Sequence, residues 1–385
     1  MRYPRFDPFP WSAPCERHAS MSKRVFNFSP GPAVLPLKVL EQAQAAVAEL
    51  PGTGSSILEI SHRSRAYDAV SDEAKALLTE LLAIPTGYSI LFLQGGASLQ
   101  FSMVPMNLLR GTGRTADYIV TGSWGKKALA EAQREGPARA AWDGKADNYS
   151  RLPGNDEPKL TDGAAYVHLT SNETIQGVEF SAEPRLGNAP LVCDASSNFL
   201  SRPIDVGRYG LIYACAQKNA GIAGVTVAII RDELLSRVPN DLPPMLDYRL
   251  QAENDSHYNT PPVFGVYVLL LVARWLKNDV GGLANMARIN GDKARLLYDV
   301  LDEHPEFYRG HARADSRSQM NVTWRLSSEE LEAQFVKQAT ARDLVDLKGH
   351  RSVGGIRASI YNAMPSKGVA ALRDFMLEFR AAHAG

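Results

Sequence analysis

The segment Tyr213–Gly221, which reads YACAQKNAG, places a lysine between two apolar runs. The first run, residues 210–216, is typical of a buried strand, and a second run, residues 225–230, follows after a short turn. Because an ammonium group is costly to bury, Lys218 needs either a partner or a lowered pKa. A lysine in this setting is a candidate Schiff-base nucleophile, and the plainer alternative is a strand-end lysine that reaches solvent. The chemical interpretation therefore requires partners for Lys218 elsewhere in the chain.

Composition and charge exclude several functional classes. A chain of 385 residues with 45% hydrophobic and 22% charged residues is typical of a globular protein of two domains. Lys+Arg and Asp+Glu are both 42, so no net charge favours nucleic acid or an anionic membrane. Cys15, Cys193 and Cys215 have neither a disulfide framework nor metal-ligand spacing, which predicts no metal site and a reducing cytoplasmic location. The most apolar run, residues 263–273, is too short to cross a bilayer, so we expect no membrane span.

Proline and glycine positions suggest how the chain divides. Residues 1–21 are proline-rich without an apolar core, so we expect a flexible extension rather than a secretory signal. Residues 22–36 form an extended segment, because its prolines fix φ and restrict the preceding residues. The pair Gly281–Gly282 predicts a boundary between a large domain, residues 37–280, and a smaller domain, residues 281–385.

Alternating strand and helix patterns predict an α/β fold with a mostly parallel sheet. The expected strands include residues 88–93, 116–121, 165–170 and 190–194, whereas residues 138–160 are interpreted as polar and rich in loops. Polar residues collect where these strands end, and in an open α/β sheet ligands bind at that edge.

Three features at this edge match the needs of a pyridoxal-type cofactor, which also requires a lysine. The turn at residues 95–98 opens a helix and presents backbone N–H groups to a phosphate. Trp124 follows another strand and is either a stacking platform for a flat ring or ordinary packing. Asp194 ends a strand 24 positions before Lys218 and is the candidate partner of a ring nitrogen. Each feature has a plainer interpretation alone, but their shared placement favours the cofactor site.

Several longer motifs resemble the phosphoserine aminotransferases, a family of class-V pyridoxal-phosphate-dependent aminotransferases. The resemblance extends from about Val25 to the C-terminus and rests on FNFSPGP at 26–32, SHR at 61–63, AQKN at 216–219, YNTPP at 258–262, GHR at 349–351 and GIRASIYN at 355–362. It implies the aspartate aminotransferase-like, type I fold, in which a large domain with a mostly parallel sheet precedes a smaller C-terminal α/β domain. It also implies that residues 22–36 pack with the small domain and that the protein is a homodimer with sites at the interface.

The resemblance assigns roles to individual residues. Lys218 would form the imine with pyridoxal 5'-phosphate, Asp194 would bind the ring nitrogen, and Trp124 would stack on the ring. The other cofactor residues would be Thr174 at the phenolic oxygen and, at the phosphate, the backbone of Ala97 and Ser98, Gln217, and Asn259 and Thr260 of the second subunit. Some members have a glycine and an arginine where this chain has Ala97 and Ser98, which leaves the side-chain role there open. The residues expected to bind substrate anions are His62, Arg63, His350, Arg351 and Arg357.

The implied reaction is ping-pong transfer of an amino group between glutamate and 3-phosphohydroxypyruvate, giving O-phosphoserine and 2-oxoglutarate in serine biosynthesis. Arginine forks suit the carboxylates and phosphate of these compounds. The sequence leaves open which arginine binds which anion, and whether the phosphorylated threonine analogue of vitamin B6 synthesis is also used. A solvated basic pair is an equally good interpretation of His62–Arg63 taken alone.

Two other functional interpretations compete with this one. An alanine–glyoxylate aminotransferase or a cysteine desulfurase would share the fold, but a desulfurase needs a mobile, exposed cysteine, which neither Cys193 nor Cys215 resembles. A non-catalytic nucleotide-binding module would use the turn at residues 95–98 alone and would leave Lys218 and Asp194 unexplained.

Overall fold

The computed structural model describes residues 24–383, which are organised around a seven-stranded sheet. The expected extension at residues 1–21 lies outside the described residues. The strands in chain order are β1 Phe26–Asn27, β2 Tyr88–Leu93, β3 Ala116–Val120, β4 Ala138–Asp143, β5 Val167–Thr170, β6 Asn172–Glu173, β7 Val178–Glu179, β8 Leu191–Asp194, β9 Leu211–Cys215, β10 Thr226–Arg231, β11 Arg309–Gly310, β12 Asn321–Arg325, β13 Leu344–Val345 and β14 Ile356–Ser359.

The α-helices of the described chain cover both faces of that sheet and build a second unit. They are α1 Leu37–Ala48, α2 Arg65–Leu82, α3 Gly96–Leu108, α4 Ser123–Ala132, α5 Asp232–Leu235, α6 Tyr248–Glu253, α7 Val263–Trp275, α8 Leu283–Glu303, α9 Glu329–Thr340 and α10 Ser366–His383. None of them is long and apolar enough to cross a membrane.

The large sheet has the order β2-β10-β9-β8-β5-β3-β4. Strands β9, β8, β5, β3 and β4 are mutually parallel, and β10 runs antiparallel to both of its neighbours. The predicted α/β architecture with a mostly parallel sheet is therefore confirmed. This arrangement brings the carboxyl ends of β5, β8 and β9 to one edge of the sheet.

The two faces of the sheet belong to separate apolar cores, because successive side chains of a strand point to opposite sides. In β2, Ile90 and Phe92 join the core formed with α1, α2 and α7, whereas Leu91 and Leu93 join the core formed with α3, α4 and α6. The continuous apolar sequence of α7 reflects its position, since all residues from Gly265 to Ala273 are buried.

A third core joins α8, α9, α10 and the three-stranded sheet β11-β12-β14. Phe28 of the N-terminal segment belongs to this core, and β1 pairs in parallel with β13. Along α8, Leu283 and Met286 pack in the large core, and from Ala294 onward the buried apolar residues pack in the third core. We propose that this core defines the smaller domain and that its boundary lies near residues 280–281, with the first turn of α8 still packed on the large core. A first proteolytic cut inside the third core would contradict this.

The interpretation of residues 138–160 as loop-rich is wrong at its start. Ala138–Asp143 forms β4, the edge strand that pairs in parallel with β3. Most of its residues are half-buried or exposed, as is usual for an edge strand, so its sequence lacks the apolar run that marked the inner strands.

Candidate functional site

The parallel register of β5, β8 and β9 creates the candidate site. Thr170 pairs with Asp194 and Asp194 with Tyr213, so the chain leaves β9 next to the Asp194 carboxylate. A cavity of about 200 Å³ opens at this edge. Its walls include seven of the nine residues predicted to bind a cofactor, namely Ala97, Ser98, Trp124, Thr174, Asp194, Gln217 and Lys218.

Lys218 extends from the end of β9 into this cavity. Its Nζ donates to Thr174 Oγ1 over 2.8 Å and lies 5.7 Å from the centre of the Trp124 ring. The N-terminal segment covers the other side of the lysine. There Gly31 has a φ of 137°, and a Cβ on it would lie 3.3 Å from Lys218 Cγ. The lysine is therefore half-buried and held between Thr174 and the N-terminal segment.

Asp194 is a carboxylate that needs a cationic partner. It ends β8 with 3% of its surface exposed, and Ser196 N donates to its Oδ1 over 2.9 Å. Burial raises the pKa of Asp194, and the hydrogen bonds from Ser196, followed by the nearby charge of Lys218, oppose this rise. A protonated ring nitrogen in the cavity would stabilise the ionised carboxylate.

The glycine turn before α3 forms a backbone cradle. Gly95 and Gly96 have φ values of 84° and 64°, and a Cβ on Gly95 would lie 2.5 Å from Leu99 Cδ2, so no other residue fits at Gly95 without movement. No side chain caps the start of α3. The first N–H groups of a helix have no partner within it, and those of Ala97 and Ser98 are therefore suited to an anion.

Buried polar atoms around the cavity add to its binding capacity. In the described chain, Trp124 Nε1, Thr170 Oγ1 and Asn172 Oδ1 are buried without a hydrogen-bond partner. Thr170 and Asn172 line the cavity with Trp124. Because buried polar groups are normally satisfied, these atoms are available to a polar ligand in the cavity.

Glu173 is a buried acid that the sequence reasoning did not select. It is fully buried, and its carboxylate accepts the N–H groups of Trp124 over 3.0 Å and Gly125 over 2.8 Å. It therefore holds the first turn of α4, which carries the Trp124 ring. Burial raises the pKa of Glu173 to about 7; the two N–H donors oppose this rise. The available signal was a carboxylate in the polar loop after β5, next to Thr174.

Arg357 is the most distinctive of the predicted anion-binding residues. It lies on β14 with 6% of its surface exposed, and its Nε has no hydrogen-bond partner among residues 24–383. Burial lowers the pKa of the guanidinium, and the nearby Tyr361 phenol opposes this. The charges of Lys218 and Arg357 both act on Tyr361, whose pKa burial raises. Arg357 is therefore a buried cation whose Nε has no partner in the described chain, and its charge acts on the same phenol as that of Lys218.

His350 and Arg351 lie on the loop before β14. His350 Nδ1 is 2.7 Å from Ser352 Oγ, and Arg351 is exposed. Burial lowers the pKa of His350, and the charges of Arg357, Arg351 and Lys127 lower it further. Lys127 was not predicted, yet its Nζ lies 4.2 Å from the centre of the Trp124 ring, so α4 adds a cation to this cluster.

Seven predicted residues do not line this cavity in a single chain. His350 and Arg357 line a separate, smaller cavity, and Arg351 lies on the same loop as His350. His62 and Arg63 lie in the loop before α2, and Asn259 and Thr260 lie in the loop between α6 and α7. The second loop passes close to the glycine turn, since Gln94 Nε2 donates to Thr260 O over 3.2 Å.

The two described cysteines, Cys193 and Cys215, are free and buried. Burial raises the pKa of the Cys193 thiol to about 12. Neither thiol has the exposure that a desulfurase nucleophile needs. Within residues 24–383, no cluster of three His, Cys, Asp or Glu residues could hold a metal ion.

Comparison with known proteins agrees with the geometry. The class-V aminotransferase family model matches residues 25–372. Phosphoserine aminotransferases from Rhodopirellula baltica and Niallia circulans are 52% and 53% identical to this chain over 96% and 94% of its length, and the matches cover 98% and 99% of those proteins.

Solved structures show the same similarity. Phosphoserine aminotransferase from Bacillus circulans subsp. alkalophilus has a TM-score of 0.91 and 52% identity, covering 94% of this chain and 99% of that one. The pyridoxal-phosphate-bound enzyme from Trichomonas vaginalis has a TM-score of 0.87 and 41% identity, covering 92% and 100%. An aspartate aminotransferase from Thermus thermophilus, with 19% identity, 91% and 99% coverage and a TM-score of 0.71, shares the fold alone.

The raised pKa of Glu173 predicts a pH-dependent stability. Folding favours the protonated acid, so its contribution is present below about pH 4.5 and is lost as the pH rises through about 7. In the cofactor-free protein, Glu173→Gln should therefore gain stability relative to wild type between about pH 5 and pH 8, by on the order of 3 kcal/mol. Urea unfolding at both pH values measures this difference. A constant difference would show that the acid does not titrate in this range.

Proposed function

The chain belongs to the class-V aminotransferase family, and we propose that it catalyses the phosphoserine aminotransferase reaction, exchanging an amino group between glutamate and 3-phosphohydroxypyruvate. The observation that carries the proposal is the convergence of Lys218, Asp194, Trp124 and the glycine turn on one cavity. Two relatives that are 52% and 53% identical to this chain are named phosphoserine aminotransferase, and they match it over nearly their whole length.

Pyridoxal 5'-phosphate fits the donor set of this cavity. The turn before α3 would bind its phosphate through the N–H groups of Ala97 and Ser98, with Gln217 as a further contact. The indole of Trp124 would lie against the ring, and Thr174 would reach the phenolic oxygen. The unpartnered polar atoms at the cavity wall support a ligand with polar edges.

When bound, this cofactor supplies an electron-withdrawing ring that carries the amino group between the two substrates. Asp194 would keep a proton on the ring nitrogen, an interaction that offsets the cost of its own burial. Lys218 Nζ would take the proton from the Cα of the amino-group donor in the first half-reaction. It would return a proton to the Cα of the acceptor in the second, while Thr174 Oγ1 orients the amine. Glu173 would keep the Trp124 ring in place by holding the first turn of α4.

Arg357 would bind the carboxylate that lies next to the reacting carbon. That carboxylate is one bond from the carbon on which Lys218 acts. The charges of Arg357 and Lys218 both act on the Tyr361 phenol, which supports a common substrate for the two residues. A buried guanidinium without a protein partner is suited to a bidentate contact with a carboxylate. The more exposed pair His350 and Arg351 would then face the phosphate end of the substrate.

We further propose that the protein is a homodimer in which Asn259 and Thr260 reach the partner's cofactor phosphate. The proposal is supported by the position of this loop, which lies beside the glycine turn without lining the cavity of its own chain. His62 and Arg63 also lie outside the cavity of their own chain, so they would reach a substrate only in the partner's site. A monomer in sedimentation measurements of the active protein would contradict this. The cytoplasmic location stays a prediction.

A coupled assay tests the substrate assignment. We expect glutamate to support rapid turnover with 3-phosphohydroxypyruvate and at least about a hundredfold lower kcat/KM with glyoxylate or pyruvate, because these lack the second anion. The purified protein should be yellow, and Lys218→Ala should lose both the colour and the activity. A preference for glyoxylate would identify an alanine–glyoxylate type of enzyme instead. A colourless active protein would show that the assignment of pyridoxal 5'-phosphate is wrong.

Replacement of Arg357 tests which anion it binds. Losing one charge-assisted contact should raise KM for both glutamate and the phosphorylated substrate by about 10- to 100-fold, since both carry the carboxylate. Arg351→Ala is the matched control and should raise KM for the phosphorylated substrate more than for glutamate, whose second anion is a carboxylate. If Arg357→Ala affected only the phosphorylated substrate, Arg357 would bind phosphate.

A further inference from the structure

Lys293 of α8 is a buried cation that the proposed reaction does not use. Its side chain is fully buried, and its Nζ is surrounded by carbonyl oxygens rather than by a carboxylate. The distances from Nζ are 2.8 Å to Ile360 O, 2.7 Å to Tyr361 O, 3.2 Å to Met364 O and 3.4 Å to Asn362 O. Burial lowers the pKa of Lys293 to about 7, so the site is costly for an ammonium group and these oxygens offset that cost.

The turn that Lys293 holds, residues 360–364, directly follows β14, the strand that carries Arg357. Four carbonyl groups that converge on one point repel one another unless a cation lies between them. The ammonium of Lys293 therefore fixes the direction in which the chain leaves β14.

The same turn is bonded to the residue next to Lys218. Asn362 N donates to Asn219 Oδ1 over 2.9 Å, and Asn362 Nδ2 donates to Leu200 O over 2.8 Å. From α8, Asn290 Nδ2 donates to Asn362 Oδ1 over 2.9 Å. The turn thus joins the strand of Arg357 to the backbone that carries Lys218.

A further contact reaches the N-terminal segment that lies against Lys218. Tyr361 Oη donates to Pro30 O over 2.8 Å, and Pro30 precedes Gly31, which packs against Lys218. The turn therefore contacts both Asn219, the residue after Lys218, and the N-terminal segment that lies against Lys218.

We propose that Lys293 is a positioning residue that sets the distance between the amine of Lys218 and the guanidinium of Arg357, and thereby selects acids whose carboxylate adjoins the reacting carbon. The proposal rests on the proposed function, because it takes Arg357 as the carboxylate-binding residue. Lys293 touches neither substrate nor cofactor and acts through the turn at residues 360–364.

Lys293→Met tests the proposal, because methionine retains an unbranched side chain of similar length without the ammonium group. We expect KM for glutamate and for O-phosphoserine to rise by about tenfold or more, with kcat reduced less and the absorbance of the bound cofactor retained. Leu297→Ala is the matched control: Leu297 is fully buried on the same helix, in the third core. It should lower the unfolding midpoint while both KM values stay within about twofold of wild type.

Asn219→Ala provides an independent variant if Lys293→Met does not fold. It removes the acceptor of the Asn362 N–H group and should raise both KM values in the same direction. If each folded variant lowers stability as Leu297→Ala does, with KM unchanged, Lys293 has only a structural role and the proposal is wrong. A wild-type protein that is inactive with glutamate and 3-phosphohydroxypyruvate would instead overturn the proposed function.

Discussion

The parallel register between β8 and β9 is the constraint on which the site depends. It pairs Asp194 with Tyr213, so that the chain delivers Lys218 to the cavity that Asp194 borders. A carboxylate buried without compensation would be neutral or strongly destabilising. The nearby ammonium group favours ionised Asp194, and a cationic ring between the two would favour it further. One shift in register would turn the Asp194 side chain to the other face of the sheet.

Around this pair, the remaining polar groups act mainly by fixing positions. Glu173 holds the turn that carries Trp124, and Lys293 holds the turn between Arg357 and Asn219. Both are buried ionisable side chains that bond to the backbone. Such groups are costly to bury and pair with several backbone groups at once, which makes the loops they hold rigid. Glu173 therefore fixes the position of Trp124, and Lys293 fixes the turn that follows Arg357.

Much of the architecture was predictable because local patterns agree with it. The apolar runs before Asp194 and Lys218 are inner strands, and the glycine turn after β2 does open a helix. β4 was not predicted, because an edge strand is apolar on too few positions to show a pattern. Glu173 was passed over since its role depends on the N–H groups of Trp124 and Gly125, which belong to a distant part of the chain. Lys293 is likewise an ordinary helical lysine until the carbonyls of residues 360–364 surround it.

Local patterns were enough to predict the α/β class, the mostly parallel sheet, and the chemical types at the strand ends: a lysine, an aspartate, a tryptophan and a glycine turn. These follow from periodicity and from the preferences of single residues, which act over a few positions of the chain. The folded chain was needed to show which groups are buried, which lack a partner, and which loops meet. Burial and charge interactions depend on residues far apart in sequence, as when Lys218 and Arg357 both act on the buried Tyr361 phenol, and no local pattern encodes them.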